Sequence, residues 1–265
     1  MNIHSTAVVD AAAQIGADVV IGPHAIIGPQ VTIGARTVIQ SHVVLEGAVE
    51  LGVDNVIGHG SIIGAPPQDL AFKPETRSAV HIGDGNILRE YCSIHRGSVA
   101  ETATTLGHRN FLMVGAHVGH NCAIGDHVII ANNCLLAGYV EIGDHAFIGG
   151  GTTFHQNMRV GRLVMSQGSS AYGKDIPPFL LAAERNYVFG VNVVGLRRAG
   201  FPAADRDEIK RAFKLLYKSG LNTKQALAAA ASTEFGPRGR EFFEFVAQAR
   251  KRGILPYRHA TKDED

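Results

Sequence analysis

The sequence predicts an all-β fold, a parallel β-helix followed by a small α-helical C-terminal region. An aliphatic residue recurs at every sixth position over most of the chain, and glycine follows many of these residues. The repeat stops near residue 185, where glycine becomes rarer and apolar residues recur three and four positions apart. A period of six fits neither an amphipathic helix nor a simple alternating strand. It fits short strands joined by turns that repeat with the hexapeptide.

The hexapeptide repeat is regular enough to predict which side chains face inward. In a chain with 45% hydrophobic residues, eleven successive sixth positions are all apolar by chance only about once in ten thousand. These residues are Ile3, Val9, Ile15, Ile21, Ile27, Ile33, Ile39, Leu45, Leu51, Ile57 and Ile63. The repeat resumes with Ile82, Leu88, Ile94, Leu106, Leu112, Val118, Ile124, Ile130, Leu136, Ile142, Ile148, Phe154 and Val160. We expect both sets to fill the interior of the β-helix.

Two further positions of the repeat have predicted roles. The residue directly after the aliphatic one is often glycine, as in Gly16 and Gly119, which predicts a corner with positive φ or a close backbone approach. The fourth residue after the aliphatic one is small, as in Ala25 and Ala116. We expect this small residue to face inward and to fit the corner.

Two insertions interrupt the repeat. Residues 65–81 shift the frame by one and contain three prolines, so they are predicted to form a loop, and a second loop lies near residues 97–105. Loops on a rigid scaffold are where binding residues concentrate. With three hexapeptides in each triangular coil, the 24 repeat residues predict about eight stacked coils.

The C-terminal region is predicted to be helical. Residues 205–219, 223–233 and 238–252 carry apolar side chains three and four positions apart, and Gly220 and Gly236 with Pro237 separate them. We therefore predict two domains, a β-helix of residues 1–185 and a helical C-terminal domain of residues 186–265. The charged tail at residues 262–265 is expected to fray.

Composition and cysteine use predict a compartment. The formal net charge is +1, so no global field favours nucleic acid. No secretory signal and no apolar run long enough to span a bilayer are present, so a cytoplasmic protein without stable membrane insertion is expected. Cys92, Cys122 and Cys134 occupy the small-residue position of the repeat. This placement favours buried packing over metal or redox chemistry, which is the alternative.

One histidine stands beside a gap in the repeat. His120 falls two residues after Val118 and is expected to face outward. Because one coil is 18 residues long, Gly138 should stack over His120, and Gln156 over Gly138. Because glycine has no side chain, the imidazole lies beside an accessible backbone N–H. Acyl transfer needs such a pair, with the imidazole as the base and the N–H as the donor to the oxyanion. The alternative is that His120 is one of many surface histidines.

An ordered set of motifs resembles one known family over nearly the whole chain. The motifs are Pro67 to Leu70, Ser93-Ile94-His95-Arg96-Gly97, Ala116 to Cys122, Leu136-Ala137-Gly138, Phe154-His155-Gln156, Phe189-Gly190-Val191-Asn192 and Gly195-Leu196-Arg197-Arg198. On these motifs the chain resembles the acyl-ACP:UDP-N-acetylglucosamine O-acyltransferase family of lipid A biosynthesis. Hexapeptide repeats alone are shared by many transferases, so the ordered set carries the resemblance.

The resemblance implies an architecture and an activity. The architecture is a left-handed β-helix that forms a homotrimer with sites between neighbouring chains. The hand comes from the resemblance alone, because crossover statistics favour the opposite hand. The activity is transfer of a 3-hydroxyacyl chain from acyl carrier protein to the 3-hydroxyl of UDP-N-acetylglucosamine, the first step of lipid A biosynthesis. The resemblance implies no metal. It also implies no cofactor of the enzyme itself, since the acyl group arrives on the phosphopantetheine of acyl carrier protein.

The resemblance also implies roles for individual residues. The histidine matching His120 is the general base, Gly138 supplies the oxyanion N–H, and Asn121 stands beside the base. The residue matching Gly168 helps to set acyl length. Substrate-binding roles are implied for Asp69, His95, His117, His155, Gln156, Asn192 and Arg198.

Four residues depart from the family pattern and keep alternatives open. Asn121 stands where aspartate is frequent, Tyr139 where histidine is common, Val194 where an acid often contacts substrate, and Ala199 where a second arginine follows the first. An altered substrate, such as a 3-amino UDP-sugar that would give an amide, is one alternative. A zinc enzyme of the γ-carbonic-anhydrase type, with three histidines from adjacent chains, is another. A non-catalytic scaffold is the third.

Overall fold

The computed structural model describes residues 2–258, and most of this length winds into three parallel β-sheets around one axis. The strands are numbered in chain order, and most are two residues long. The first half comprises β1 (Asn2–Ile3), β2 (Val8–Val9), β3 (Gln14–Ile15), β4 (Val20–Ile21), β5 (Ile26–Ile27), β6 (Val31–Ile33), β7 (Val38–Ile39), β8 (Val44–Leu45), β9 (Ala48–Leu51), β10 (Val56–Ile57), β11 (Ile62–Ala65), β12 (Ala79–Ile82), β13 (Ile87–Leu88) and β14 (Ser93–His95).

The second half continues the same winding and ends in a hairpin. It comprises β15 (Ala103–Leu106), β16 (Phe111–Leu112), β17 (His117–Val118), β18 (Ala123–Ile124), β19 (Ile129–Ile130), β20 (Leu135–Leu136), β21 (Glu141–Ile142), β22 (Phe147–Ile148), β23 (Thr153–Phe154), β24 (Arg159–Val160), β25 (Met165–Ser166), β26 (Ala171–Tyr172), β27 (Leu180–Ala183) and β28 (Tyr187–Val191).

Each coil of the chain contributes one strand to each sheet. The first sheet has 11 strands in the order β1-β4-β7-β10-β13-β16-β19-β22-β25-β27-β28. The second has nine, β2-β5-β8-β11-β14-β17-β20-β23-β26, and the third has eight, β3-β6-β9-β12-β15-β18-β21-β24. Val118 pairs with Leu136, and Leu136 with Phe154, which confirms the predicted 18-residue coil.

The interior is built from the two residue classes that the repeat predicts. Ile57 and Ile130 of the aliphatic class and Ala116 and Val128 of the small class are fully buried. Ile3 is 40% exposed, because its coil has a neighbouring coil on one side only. Alternating apolar strand residues therefore form one continuous core along the axis.

The three cysteines are free and buried, as predicted from their place in the repeat. Burial raises the pKa of the Cys92 and Cys122 thiols to about 12. A thiol with so high a pKa is a poor nucleophile and a poor metal ligand, so these residues act as packing groups.

Of the two reasons predicted for glycine directly after the aliphatic residue, positive φ holds at Gly64 (φ 88) but not at Gly16 or Gly119. Positive φ occurs two residues later in the turn, for example at Asn121 (φ 59) and Tyr139 (φ 63). At Gly119 the reason for glycine is space, because an added β-carbon would lie 2.7 Å from the carbonyl oxygen of Leu136 in the next coil. The alternative in the prediction, a close backbone approach, is therefore the one that holds there.

Both insertions are shorter than predicted. The predicted loop at 65–81 overlaps strand β12 (Ala79–Ile82) in its last three residues, and this strand pairs with β9 and β15. The predicted loop at 97–105 likewise ends in strand β15, since Ala103–Leu106 continues the third sheet. Alternating apolar and polar residues return the chain to the sheet earlier than the shifted repeat indicates.

The C-terminal region begins with an antiparallel hairpin, β27 with β28, at the end of the first sheet. Four helices follow: α1 (Val193–Arg198), α2 (Ala203–Tyr217), α3 (Thr223–Ala231) and α4 (Pro237–Ala247). The short α1 was not predicted, and α4 ends at Ala247 rather than at residue 252. The domain boundary at 185 stays a prediction, and the tail at 262–265 lies outside the described residues.

Two buried carboxylates fasten the helical region. Oδ1 of Asp175 accepts a hydrogen bond from the backbone N–H of Arg159 at 2.9 Å, and Oδ2 accepts one from the N–H of Arg250 at 3.0 Å. Glu208 on α2 accepts a hydrogen bond from the N–H of Gly239 at 2.6 Å and so caps the first turn of α4. Across residues 2–258, no helix is long and apolar enough to cross a membrane.

Candidate active site

His120 and Gly138 are adjacent in the stack of coils, as the spacing predicts. The pairing of Val118 with Leu136 brings the two residues level at the turn between the second and third sheets. An added β-carbon at Gly138 would lie 2.5 Å from Nε2 and 3.0 Å from Nδ1 of His120. The imidazole therefore occupies the space that a side chain at position 138 would need. Gln156 lies exposed at the same turn, one coil further.

Asn121 fixes the orientation of the His120 ring. Nδ1 of His120 lies 3.0 Å from Oδ1 of Asn121, and the same Oδ1 accepts a hydrogen bond from the backbone N–H of Ser98 at 2.9 Å. Because a backbone N–H can only donate, this contact identifies Oδ1 as the amide oxygen. The neutral imidazole must therefore carry its proton on Nδ1. Nε2 then holds a free lone pair, which is the arrangement of a general base.

The second insertion supplies groups that the sequence alone did not single out. Oγ of Ser98 donates to Oδ1 of Asn121 at 2.9 Å and lies 3.2 Å from the hydroxyl of Tyr139. Oγ1 of Thr102 accepts from Nδ2 of Asn121 at 2.8 Å. Tyr139 in turn packs edge-on against the His120 ring, with centroids 5.2 Å apart. The location of Ser98 and Thr102 in an insertion was the available signal, because inserted loops carry site residues.

The backbone of Gly138 offers a free hydrogen-bond donor. No group within residues 2–258 accepts a hydrogen bond from its N–H, although the residue is buried. A buried N–H without a partner is uncommon in folded proteins. Beside an imidazole with a free Nε2, this donor can stabilise an oxyanion.

A second pair of histidines lies on the outer face of the second sheet. Nδ1 of His117 lies 2.8 Å from Oγ of Ser93, and the ring meets that of His95 edge-on at a centroid distance of 5.1 Å. Burial, together with the neighbouring His95, lowers the pKa of His117 to about 4. Burial likewise lowers the pKa of His95. Both rings are therefore neutral near pH 7, and they can bind substrate by hydrogen bonding without adding charge.

Two predicted binding residues lie on the surface with local contacts. Asp69 is exposed in the first insertion, where its Oδ1 accepts from the N–H of Ala71 at 2.9 Å. His155 is exposed beside Gln156, and its Nε2 lies 3.0 Å from a guanidinium nitrogen of Arg252. These contacts leave both side chains accessible to a ligand.

Asn192 and Arg198 border a groove on the outer face of the first sheet. The groove has a volume of about 730 Å³, and Met165, Phe147 and Leu181 form part of its apolar wall. The Asn192 side chain is engaged in the fold, since its Oδ1 accepts from the N–H of Gly195 at 3.0 Å and its Nδ2 donates to the carbonyl of Leu163 at 2.9 Å. Its first structural role is thus to cap α1.

One chain does not bring all predicted residues together. His120, Asn121 and Gly138 lie at the turn between the second and third sheets, while the groove lies on the first sheet. Gly168 lies at a third place, the turn that follows β25, where an added β-carbon would be 3.0 Å from the carbonyl oxygen of Gly150. Within residues 2–258, no three His, Cys, Asp or Glu side chains of the chain are arranged to hold a metal ion.

Comparison with known proteins finds two family models that match parts of the chain. Residues 175–255 match the family model described as UDP N-acetylglucosamine O-acyltransferase, domain 2. Residues 2–35, 12–47 and 103–138 match the model described as bacterial transferase hexapeptide.

Curated and structurally solved relatives extend the match to nearly the full chain. An acyl-[acyl-carrier-protein]–UDP-N-acetylglucosamine O-acyltransferase of Burkholderia lata is 46% identical over 260 residues, covering 96% of this chain and 98% of its own. The structure of LpxA from Acinetobacter baumannii has a TM-score of 0.91 at 41% identity, covering 96% of this chain and all of that one.

A third relative gives the same result. The UDP-N-acetylglucosamine acyltransferase of Francisella novicida has a TM-score of 0.92 at 36% identity and covers 96% of this chain and 94% of its own. The fold is the left-handed parallel β-helix with a small helical region that the resemblance implied. The chain belongs to the acyl-[acyl-carrier-protein]–UDP-N-acetylglucosamine O-acyltransferase family.

Proposed function

We propose that the protein transfers a 3-hydroxyacyl chain from acyl carrier protein to the 3-hydroxyl of UDP-N-acetylglucosamine, the first step of lipid A biosynthesis. One observation carries the proposal, the free Nε2 of His120 beside the unpartnered N–H of Gly138. The names of the relatives support the two substrates. The acyl chain arrives on the phosphopantetheine of the carrier, so the proposal needs no other cofactor.

The reaction follows from these two groups. Nε2 of His120 removes the proton of the sugar hydroxyl, whose oxygen attacks the thioester carbonyl carbon. The negative charge that develops on the carbonyl oxygen is stabilised by the N–H of Gly138. The C–S bond then breaks, the ester remains on the sugar, and the protonated imidazole returns its proton to the leaving thiolate. The residue is thereby ready for another cycle.

The outer faces of the three sheets support a homotrimer. The first sheet presents a continuous apolar strip, and the second is apolar over its first four strands, whereas the third presents mostly polar and charged side chains. The strip on the first sheet consists of Val20, Val38, Val56, Ile87, Phe111, Ile129, Phe147, Met165 and Leu181. The outward side chains of the third sheet are Gln14, Thr32, Glu50, His81, Thr105, Ala123, Glu141 and Arg159.

Apolar strips of this length mark an interface. Because the two apolar faces differ, contact of one with the other between chains is heterologous, and such contacts form a ring when the rotation between chains closes. In a ring, the groove beside Arg198 lies opposite the His117 and His120 side of the next chain. The residues that one chain keeps apart would then form one site between two chains. The free cysteines support a reducing compartment such as the cytoplasm.

The departures from the family pattern favour testing a second sugar. Val194 and Ala199 both line the groove, and Val194 is 58% exposed there. An apolar side chain cannot contact a sugar as an acid does. Acylation of a 3-amino UDP-sugar, with an amide as product, is the second candidate.

The test is an assay of the purified protein with a series of acyl carrier proteins and both nucleotide sugars, together with light scattering and metal analysis. We expect ester formation, a trimer, and no dependence of turnover on zinc. His120→Ala should lower turnover about 10²- to 10⁴-fold while binding of the nucleotide sugar persists. An unchanged rate in His120→Ala, or activity that follows zinc content, would refute the mechanism, and a fully active monomer would refute the shared site.

A further inference from the structure

Two histidines outside the catalytic turn form a parallel stack at the rim of the groove on the first sheet. The rings of His127 and His145 lie 4.8 Å apart with an angle of 3° between their planes. Both residues occupy the same place in successive coils, with φ of 56° and 58°. Both line the groove that Asn192 and Arg198 also line.

The ring nitrogens of the stack and the guanidinium of Arg198 have no partner among the described residues. Within residues 2–258, neither the ring nitrogens of His127 and His145 nor the guanidinium of Arg198 makes a hydrogen bond or ion pair. Most other histidines do, for example His108, whose Nδ1 accepts from the N–H of Asp84 at 2.9 Å. Three adjacent nitrogen-rich side chains are thus left free at the edge of a mostly apolar groove.

Two carboxylates near the stack, those of Asp126 and Asp144, are hydrogen-bonded to the backbone and favour the protonated form of His145. Oδ1 of Asp126 accepts from the N–H of His108 at 2.7 Å, and Oδ1 of Asp144 accepts from the N–H of Asp126 at 2.9 Å. Both carboxylates are thereby engaged with the backbone of the preceding coil. Burial, together with nearby His127 and Arg162, lowers the pKa of His145. The His145 ring therefore favours the neutral form more than a free imidazole does, and Arg198 supplies the fixed positive charge.

We propose that His127, His145 and Arg198 form a phosphate-binding site at the mouth of the groove. A ligand with an anionic group and a larger apolar or planar part matches the cationic rim and the apolar wall. The inference rests on the proposed function, because each substrate of that reaction carries such a phosphate. One source is the diphosphate of the nucleotide sugar, and the other is the phosphate of the phosphopantetheine arm.

The chain offers a matched control for this site. His24 and His42 form a similar stack, 5.0 Å apart at an angle of 20°, and have φ of 58° and 60°. Neither lines the groove. Asparagine tolerates positive φ, so His127→Asn with His145→Asn and His24→Asn with His42→Asn perturb the backbone equally. Arg198→Gln is a second variant for the case that the first pair does not fold.

Binding of UDP, uridine and 4′-phosphopantetheine is measured by calorimetry. The values of KM and kcat are measured with the trimeric enzyme. Loss of two hydrogen bonds to a charged group should weaken binding about tenfold or more. If the nucleotide is the source, the Kd of UDP and the KM of the nucleotide sugar rise, while the Kd of uridine, the KM of the carrier and kcat stay within about twofold. If the carrier arm is the source, the Kd of phosphopantetheine and the KM of the carrier rise instead.

Two results would overturn the phosphate site. One is unchanged affinity for both phosphates in the His127 and His145 variant, and the other is an equal loss in the His24 and His42 control. If the wild-type protein transferred no acyl group, the proposed function would fail. The calorimetric measurements would still decide whether the site binds phosphate, so the two failures are distinguishable.

Discussion

Nδ2 of Asn121 donates a hydrogen bond to Oγ1 of Thr102 over 2.8 Å. The Thr102 hydroxyl donates its own proton in a 2.6 Å hydrogen bond to the carbonyl oxygen of Val99, so towards residue 121 it can act only as an acceptor. This arrangement selects an amide over a carboxylate beside His120. It gives a physical reason for the departure from the aspartate that is frequent in the family.

Replacing Asn121 with aspartate should shift the pH dependence of turnover. A carboxylate next to His120 stabilises the protonated ring, so the base remains protonated to higher pH. We expect the acid limb of the kcat profile to move to higher pH by about one unit. Asn133→Asp, at an exposed turn with φ 56°, is the control and should leave the profile in place. Identical acid limbs for Asn121→Asp and wild type would contradict this role of Asn121.

Adding one methyl group at Gly138 should impair catalysis without unfolding the protein. The β-carbon would lie 2.5 Å from Nε2 of His120, so the ring must move away from its position. We expect kcat to fall about 10²-fold, as for other losses of a positioned base or oxyanion donor. Gly173→Ala is the control, since the nearest atoms to its β-carbon are 3.7 Å away. Equal kcat values for Gly138→Ala and Gly173→Ala would show that the contact is irrelevant.

Neighbouring residues on β6 should differ sharply in their contribution to stability. Ile33 is 1% exposed and faces the core, whereas Thr32 lies on the polar outer face of the third sheet. Ile33→Ala should reduce the free energy of unfolding by about 2 to 5 kcal/mol, because coils held on both sides cannot collapse into the cavity. Thr32→Ala should cost less than about 1 kcal/mol. Denaturant titration of both variants measures the difference, and equal losses would mean that the inward assignment does not determine stability.

The half-buried His117 should make the protein sensitive to acid. Its pKa is lowered from 6.5 to about 4 in the folded state, so the fold favours the neutral ring. The stabilisation is fully present above the unfolded pKa of 6.5 and is lost as the pH falls from 6.5 towards 4. The loss approaches about 1.4 kcal/mol per pH unit and totals on the order of 3 kcal/mol.

His117→Asn removes this proton and keeps an amide near Ser93. Urea titrations between pH 7.5 and pH 4 should show a weaker dependence of the unfolding free energy on pH in the variant. His81→Asn is a suitable control, since that histidine lies on the polar third sheet beside Glu50. Parallel pH dependence in the wild type and His117→Asn would show that protonation of His117 does not cause the loss of stability.

Much of the turn that contains His120 could be predicted because the fold is periodic. Once each coil has 18 residues, the neighbours of Val118 and of His120 in the next coil follow by counting, and Leu136 and Gly138 stand there. The resemblance then implied roles for the same residues. The repeat could not indicate where φ is positive, because glycine at the aliphatic-plus-one position reflects close approach to the next coil, as at Gly119.

The sequence by itself determined the interior residues, the length of a coil and the adjacency of His120 and Gly138, since each depends only on a repeating register. The tertiary structure decided what lies outside the repeat. The path of the second insertion brings Ser98 and Thr102 onto Asn121, and α1 places Arg198 at the groove that His127 and His145 also line. These contacts join residues whose separation in the chain obeys no period. They depend on how loops and helices pack against a finished scaffold, and a local sequence pattern does not encode that packing.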